Sequence, residues 1–386
     1  MWLSDKIKSI TPSATLSITS LAKQMKKDGE DVVILAAGEP DFDTPDIIKQ
    51  AAIKAINDGF TKYTPASGTL TLKSEICRKL KKDNGLDYEP GQIVVSNGAK
   101  HSIYNALQAI CNPGDEVLIV PPYWVSYPEM VKLAGAVSVV VEVDEANRFK
   151  TEVSALEKAV TNKTKALILN SPSNPAGVIY NKAELLAIAA FCLEKNILVI
   201  SDEIYEKIIY DGKEHFSIAS CSEEMKNSTI LVNGMSKSYS MTGWRIGYIA
   251  ANKEIVSLVS SLQSHATSNP CSISQVAAET ALTADLDDEL KKNSDIFQAR
   301  RDAILEMFKD EDKISCLVPS GAFYMFCDIS KCGMGSLEFA KKLLDEKKVA
   351  VIPGGPFGDD RFIRISFATD SDTLEKGINR IKEWIN

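Results

Sequence analysis

Short apolar runs alternate with helical patterns over most of the chain, and this alternation restricts the fold more than any other feature. The runs lie at 93–95, 117–120, 166–169, 197–200 and 230–232. They are apolar at consecutive positions, as strands are when helices cover both faces of their sheet. Between them, segments such as 101–110 repeat apolar side chains every three to four positions, as one face of a helix does. This order of elements predicts an α/β protein with a mostly parallel sheet.

After about residue 285 the pattern changes. A charged helical pattern extends to about Phe308, and shorter strand-like pieces follow at 322–326, 349–352 and 362–367. We expect a smaller α+β domain in this part of the chain.

Composition excludes several classes of protein. The 386 residues carry 44 basic and 52 acidic side chains, so the net charge of −8 argues against nucleic-acid binding, which needs a basic surface. No run approaches the roughly 20 apolar residues that span a bilayer. Residues 1–6 have no apolar run, so we expect no secretory signal and a cytoplasmic protein. The eight scattered cysteines are expected to be reduced, and no zinc spacing accompanies Cys327 and Cys332.

Two loops that follow strands contain turn-forming residues. The first, 96–100, contains Gly98 and opens a helix, where free backbone N–H groups bind anions, although an ordinary tight turn is the more frequent case. The second, 170–177, has two prolines and a glycine that would hold Asn174 as a donor, although a plain turn is again more frequent. Ligands bind at the carboxyl ends of strands in open α/β sheets, so these loops are expected to converge.

Two further loops carry charged groups. Asp202 follows a buried run, where a carboxylate is costly unless a cation pairs with it; a helix N-cap is an equally good interpretation. Lys237 lies among small and apolar residues, with Arg245 eight positions later. A lone lysine is usually solvated, but a desolvated lysine near a cation has the lowered pKa that suits Schiff-base chemistry.

Taken together, the loops resemble the class I pyridoxal-phosphate aminotransferases of fold type I. The matching segments are 38–45, 121–128, 171–177, 201–205, 234–247 and 361–366. The resemblance covers nearly the whole chain and is strongest to the bacterial branch of the aspartate aminotransferases. It implies pyridoxal 5′-phosphate as cofactor, a large cofactor-binding domain over 46–285, and a small domain made of 1–45 with 286–386.

The same resemblance implies a role for individual residues. Lys237, Asp202 and Tyr205 would be catalytic: Lys237 binds the cofactor covalently and moves a proton, Asp202 pairs with the ring nitrogen, and Tyr205 with Asn174 contacts the ring oxygen. Trp124 would stack on the ring. The phosphate would be bound by Gly98, Ala99, Lys100, Ser236 and Arg245, and by Tyr63 of a neighbouring subunit.

For the substrate, the resemblance implies that Arg364 binds the α-carboxylate beside Gly38, Trp124 and Asn174. The implied reaction is ping-pong transfer of the amino group from L-aspartate to 2-oxoglutarate, giving oxaloacetate and L-glutamate, in a homodimer with shared active sites. In the animal and enteric branch of the family, an arginine from the partner subunit binds the distal carboxylate, but no arginine lies between Arg245 and Arg300 here. The candidates for binding the distal carboxylate are the hydroxyls of Ser13 and Thr15, with Lys100 or a residue that the sequence does not identify.

Other functions stay open on the sequence alone. Aminotransferases for aromatic or branched-chain amino acids or prephenate share this fold, as do C–S lyases. Thr11 argues against prephenate, because some prephenate-accepting members have a basic residue there. A sensor fused to a DNA-binding module is not favoured, because the enzyme-like segment begins almost at once. A nicotinamide-dependent oxidoreductase would need a Gly-x-Gly-x-x-Gly after a strand, and Gly333 with Gly335 lacks the third glycine.

Overall fold

In the computed structural model, residues 3–143 and 149–386 are described, so the first two residues of the N-terminal hexapeptide considered above lie outside the described residues. The helices are α1 (Asp5–Lys8), α2 (Ala14–Lys27), α3 (Asp46–Asn57), α4 (Leu70–Asn84), α5 (Ala99–Ile110), α6 (Ser126–Leu133), α7 (Val153–Ala159), α8 (Lys182–Glu194), α9 (Glu223–Asn227), α10 (Lys253–Ala266), α11 (Ser272–Thr283), α12 (Asp287–Phe308), α13 (Ser336–Lys347) and α14 (Ser371–Ile385). The strands are β1 (Val33–Ile34), β2 (Ile93–Ser96), β3 (Glu116–Ile119), β4 (Val137–Val140), β5 (Thr164–Asn170), β6 (Leu198–Asp202), β7 (Thr229–Gly234), β8 (Gly247–Ala250), β9 (Ser315–Cys316), β10 (Tyr324–Asp328), β11 (Val349–Ala350), β12 (Ile352–Pro353) and β13 (Phe362–Ser366).

The large sheet has seven strands in the order β2-β8-β7-β6-β5-β3-β4. Strand β8 is antiparallel to both of its neighbours, β2 and β7, and the other described pairs of the sheet are parallel, so the predicted mostly parallel sheet is confirmed. Apolar side chains alternate between two cores, one on each face: Ile200 packs with α5, and Val199 packs with α8. Burial on both faces explains why the runs are apolar at every position.

Strand β6 is longer than predicted. It extends through Ser201 and Asp202, which pair with β5 and β7, and a turn rather than a helix follows. The interpretation of Asp202 as a helix N-cap is therefore wrong. The residue ends a buried central strand because its backbone continues the ladder to both neighbours.

A second sheet of four strands, in the order β12-β13-β10-β9, is antiparallel and lies in the C-terminal third of the chain. The predicted helix up to Phe308 is α12, and the predicted strand-like pieces are present. The piece at 349–352 divides into two strands, because β11 pairs in parallel with β1 whereas β12 pairs with β13. The β1–β11 pair joins the N-terminal segment to this part of the protein.

Cys316 and Cys327 face each other on β9 and β10 and form a disulfide. The expectation that all eight cysteines are reduced is wrong for this pair; the remaining six are free. Their separation of 11 positions along the chain does not predict a disulfide, because it is the register of two antiparallel strands that brings them together.

Local sequence determines where several helices begin and end. Thr69 caps α4 through its hydroxyl, and Gly85 ends that helix in a left-handed conformation (φ 66°). Asn181 and Glu184 form a capping box at the start of α8. Among the described helices, none has both the length and the apolar character needed to cross a membrane.

Candidate active site

The four loops named above converge on one cavity of about 410 Å³, at the carboxyl ends of β5, β6 and β7 and the start of α5. The predicted site residues that line it are Gly38, Ala99, Lys100, Trp124, Asn174, Asp202, Tyr205, Ser236, Lys237, Arg245 and Arg364. Gly98 lies beside it as the N-cap of α5. The two sheets are therefore arranged so that Arg364, on β13, reaches the same space as Asp202 on β6.

Lys237 lies in the loop that follows β7, and its Nζ donates to the carbonyl oxygen of Gly38 at 2.5 Å. Burial lowers the pKa of Lys237 to about 8, and the nearby guanidinium of Arg364 acts in the same direction. Far more neutral amine is therefore present near neutral pH than for an ordinary lysine, as a nucleophile or base requires.

Asp202 is buried, and burial raises the pKa of its carboxyl to about 6. Its Oδ2 accepts the hydroxyl of Tyr127 at 2.6 Å, and Oδ1 accepts the backbone N–H of Ile204 at 3.3 Å. These two donors leave acceptor capacity on the carboxylate, since each oxygen has two lone pairs. The carboxylate is thus able to accept a further donor from the cavity.

Sequence analysis did not single out Tyr127, which lies three positions after Trp124 with its ring edge-on to that indole (5.5 Å between centroids). Trp124 precedes α6 and Tyr127 lies in its first turn, so no helical periodicity in the sequence linked the two side chains. Asn170 was also missed. Its amide donates to the backbone oxygen of Asp202 at 2.8 Å and accepts the N–H of Asn174 at 2.9 Å, which fixes the loop after β5 against β6.

Arg364 is 2% exposed and lies in the middle of β13. Its two Nη atoms donate to Asn174 Oδ1 and to the backbone oxygen of Ala36, both at 3.0 Å, whereas its Nε has no partner. Within the described part of the chain, none of the ion pairs includes Arg364. A buried guanidinium without a carboxylate is unfavourable, so this arrangement points to an anionic ligand.

The start of α5 and Arg245 form one corner of the cavity. Gly98 has a φ of 91°, and a Cβ at this position would collide with the guanidinium of Arg245. A Cβ at Gly247 would likewise collide with the backbone of Gly98 and Ala99. Glycine at both positions therefore allows the guanidinium to approach the first N–H groups of α5, which have no partner within the helix. Such a corner suits a phosphate.

The cavity carries an excess of positive charge although the protein is acidic overall. Five cationic side chains line it against two acidic ones. They are Lys23, Lys100, Lys237, Arg245 and Arg364 against Glu39 and Asp202. Lys100 lies over the ring of Trp124 at 4.8 Å, and burial together with Arg245 lowers its pKa. This balance favours ligands with several negative charges.

Tyr205 and Tyr63 differ in placement. The hydroxyl of Tyr205 lies 2.9 Å from that of Tyr324, and burial raises the pKa of Tyr205 well above its ordinary value. Tyr63 is 90% exposed and does not line the cavity of its own chain.

Behind the cavity, Glu203, Glu206 and His215 lie close enough together to hold a metal ion. The carboxylate oxygens of the two glutamates already have partners in the protein. Glu203 accepts the hydroxyls of Ser201 and Ser217 at 2.8 and 2.6 Å and contacts His215 Nε2 at 2.9 Å. The ammonium of Lys79 pairs with Glu206. We interpret this group as structural, because the lysine already supplies the compensating positive charge.

The profile of the family "Aminotransferase class I and II" matches residues 30–381. The chain therefore belongs to the class I and II aminotransferases and is an enzyme of that kind. Membership implies pyridoxal phosphate as cofactor.

Individual relatives cover the full length. The chain is 47% identical to the aspartate aminotransferase of Bacillus subtilis (strain 168), with 100% of this chain and 99% of the relative covered. It is 50% identical to the aspartate aminotransferase of Bacillus sp. (strain YM-2), with 99% of each covered. It superposes on the aspartate aminotransferase from Thermus thermophilus with maleate at a TM-score of 0.96 and 39% identity, with 99% of each chain covered.

Proposed function

We propose that the chain transfers the amino group of L-aspartate to 2-oxoglutarate in a ping-pong reaction, with pyridoxal 5′-phosphate as cofactor. The observation that carries this proposal is Arg364, a buried guanidinium without a carboxylate partner, in the same cationic cavity as Lys237 and Asp202. The names of the relatives agree with it.

The residues present fit the cofactor. Lys237 offers an amine of lowered pKa, and Asp202 offers a carboxylate with unused acceptor capacity. The corner at Gly98 and Arg245 offers N–H donors of the kind that bind phosphate. When bound, the cofactor supplies an electron sink for the bonds at the substrate Cα. We assign Lys237 to covalent attachment, Asp202 to the ring nitrogen, Tyr205 and Asn174 to the ring oxygen, Trp124 to the ring face, and Gly98, Ala99, Lys100, Ser236 and Arg245 to the phosphate.

The chain's own groups then perform distinct tasks. Arg364 binds the α-carboxylate and orients the substrate, with Asn174 fixing the guanidinium. Lys237 Nζ, as the neutral amine, removes the proton from Cα. Asp202 holds a proton on the ring nitrogen, and the hydroxyl of Tyr127 holds Asp202 in place at 2.6 Å. Each task depends on orientation, which is worth several orders of magnitude in rate.

A second carboxylate on the substrate fits the charge of the cavity. The hydroxyl of Thr15 is buried without a hydrogen-bond partner, and Ser13 and Lys100 line the same space. We assign the distal carboxylate to these three side chains. Hydroxyl donors bind a carboxylate less strongly than a bidentate arginine, so the preference over neutral side chains is modest.

We also propose a cytoplasmic homodimer with shared active sites. Tyr63 is 90% exposed, and Ile53, Ile56 and Phe60, which precede it, expose 48%, 53% and 41% of their surface. A second copy of the chain would cover this apolar surface and receive Tyr63 at its phosphate site. Co-expression of Lys237→Ala with an impaired Tyr63 variant should restore activity above that of either mutant homodimer; no recovery would mean that Tyr63 acts within its own chain.

The test of the reaction is kcat/KM for aspartate, glutamate, alanine, phenylalanine and the amino product of prephenate under one set of conditions. We expect aspartate with 2-oxoglutarate to be the best pair. If phenylalanine or alanine exceeds aspartate tenfold, about 1.4 kcal/mol in the transition state, the preference for acidic substrates is wrong and a general aminotransferase remains. Elimination of a thiol without amino transfer would indicate a C–S lyase.

A further inference from the structure

The segment 38–44 connects β1 to α3 and is neither helix nor strand. Of its side chains and backbone groups, only Gly38 has been assigned a task so far. A segment without secondary structure must be fixed by specific contacts, since ordering its backbone costs entropy at every residue. The contacts of this segment run to two different parts of the molecule.

On one side, the segment is bonded to the loop that carries Lys237. Glu39 accepts the hydroxyl of Thr242 at 3.2 Å, and Thr44 both donates to the backbone oxygen of Ser240 at 2.7 Å and accepts Trp244 Nε1 at 3.0 Å. Gly38 accepts Lys237 itself. Ser240 has a φ of 52°, in the left-handed region that non-glycine residues rarely adopt. Thr44 therefore holds the loop at its strained residue.

On the other side, the segment is anchored to α12 by Asp41. Both carboxylate oxygens of Asp41 accept from the guanidinium of Arg300, each at 2.8 Å. The guanidinium lies beside the rings of Phe42 and Phe297, at 5.5 and 5.8 Å from their centroids, and the arginine side chain is 9% exposed. The Asp41 side chain is 25% exposed, so the pair is shielded from water on the arginine side. Its bidentate geometry fixes position better than a single contact between two exposed charges.

The three elements meet around a cavity of about 10 Å³, lined by Phe42 from the segment, Lys237 and Ser240 from the loop, and Phe297 from α12. A gap of this size leaves the segment little room to shift without moving the loop. We propose that Asp41 is a positioning residue, which anchors the segment 38–44 to α12 and thereby holds the Lys237 loop in its reactive geometry. The inference rests on the proposed function of Lys237.

The neighbouring arginine provides a matched control. Arg301 forms an equally bidentate pair with Asp211, at 2.7 Å for both bonds, one position farther along α12. Asp211 follows Tyr210 and does not line the cavity, and within the described parts of the chain its carboxylate pairs with Arg301 and not with the Lys237 loop. Its φ of 60° is tolerated by asparagine. Asp41→Asn and Asp211→Asn therefore remove the same charge from the same kind of pair, and only Asp41→Asn loosens the segment.

The experiment compares wild type, Asp41→Asn and Asp211→Asn, each prepared both free of pyridoxal phosphate and loaded with it. Hydrogen exchange of the backbone amides at 237–244, measured by mass spectrometry with and without cofactor, should accelerate in Asp41→Asn and stay at the wild-type rate in Asp211→Asn. Under saturating substrate, kcat should fall about 10- to 100-fold in Asp41→Asn while KM changes less than threefold, since a small misplacement near the chemistry costs up to about that factor.

Two results would overturn the inference. One is a folded Asp41→Asn variant whose amides at 237–244 exchange at the wild-type rate. The other is an Asp211→Asn variant in which exchange at 237–244 accelerates as much as in Asp41→Asn. If Asp41→Asn does not fold, Thr44→Val removes the bonds at the other end of the segment and should accelerate the same amides; no acceleration there would also overturn it. A wild type that transfers no amino group from any amino acid would refute the proposed function instead, and the exchange result would still decide whether Asp41 holds the loop.

Discussion

Asp202 and Glu203 are consecutive buried carboxylates on opposite sides of the large sheet, and they differ in how many hydrogen-bond donors the protein supplies to them. Glu203 receives two hydroxyl donors and His215, so its oxygen atoms are satisfied within the protein. Asp202 receives one hydroxyl and a long backbone bond, and its pKa is raised to about 6 by burial. A buried acid with all its partners stabilises the fold, whereas one left short of donors marks the place of a ligand.

The same difference extends to the cations. On the back of the sheet, Lys79 pairs with Glu206, whose pKa falls to about 2 despite its burial. In the cavity, Lys237 and Arg364 have no carboxylate partner among the ion pairs of the described residues. The following predictions test whether the cavity side performs the chemistry and the back side supports the fold.

The largest effect is expected for Lys237→Ala. Loss of the amine removes both the covalent attachment of the cofactor and the base at Cα, so single-turnover amino transfer from aspartate should slow by about 10⁴-fold. Lys291→Ala, which removes an exposed lysine paired with Asp295 on α12, is the control and should transfer at the wild-type rate. Retention of most activity in Lys237→Ala would refute the assignment.

Asp202→Asn and Glu203→Gln make the same chemical change at neighbouring positions. Asp202→Asn should lower kcat by about 10²-fold with little loss of stability, because the carboxylate assigned to the ring nitrogen of the cofactor no longer stabilises the transition state. Glu203→Gln should keep kcat within about threefold and lower the free energy of unfolding by roughly 3 kcal/mol, because His215 loses its charge partner. The measurements are half-reaction rates and urea unfolding; the reverse pattern would mean that the two acids have exchanged roles.

A smaller effect is expected for Tyr127→Phe, which keeps the ring against Trp124 and removes only the hydroxyl. A hydrogen bond to a charged group is worth at least about 1.5 kcal/mol, so kcat should fall by about tenfold. Tyr180→Phe, which removes a hydroxyl that accepts the N–H of Thr151 outside the cavity, should leave kcat unchanged. Equal kcat values in both variants would show that the contact between Tyr127 and Asp202 does not matter for turnover.

The last effect concerns pH and is seen in protein stripped of cofactor. The pKa of Asp202 is about 6 in the fold and 3.8 in the unfolded chain, so its charge destabilises the fold by about 3 kcal/mol above pH 6. Asp202→Asn should therefore be more stable than wild type at pH 8, and the advantage should vanish as the pH falls from 6 to 3.8.

The ionised carboxylate of Glu206 has the opposite effect, because it stabilises the fold. Its pKa is lowered from 4.5 to about 2, so its contribution to stability is complete above pH 4.5 and is lost as the pH falls through 2. Glu206→Gln should be less stable than wild type at neutral pH, with the deficit shrinking in acid. Urea unfolding from pH 3 to pH 8 measures both variants, and a deficit for Asp202→Asn at pH 8 would contradict the contrast between the two sides.

Much of this protein follows from local sequence. Consecutive apolar residues predicted the central strands because burial on both faces requires them, and the loops after those strands supplied Lys237, Asp202 and Arg245. Local sequence failed where pairing between distant segments decides. Asp202 ends a strand instead of capping a helix because β5 and β7 extend the ladder to it, and Cys316 meets Cys327 through strand register.

Only the tertiary structure decided which groups are left without partners. Tyr127 meets Asp202 across 75 positions, and Arg300 meets Asp41 across 259. Successive side chains of a strand point to opposite faces, so Asp202 and Glu203 had to separate, but the sequence did not reveal which face contained the donors. The sequence thus determined that two carboxylates follow a buried apolar run, and packing determined that Glu203 is satisfied and Asp202 is left to bind, because hydrogen-bond partners are set by proximity in space and not along the chain.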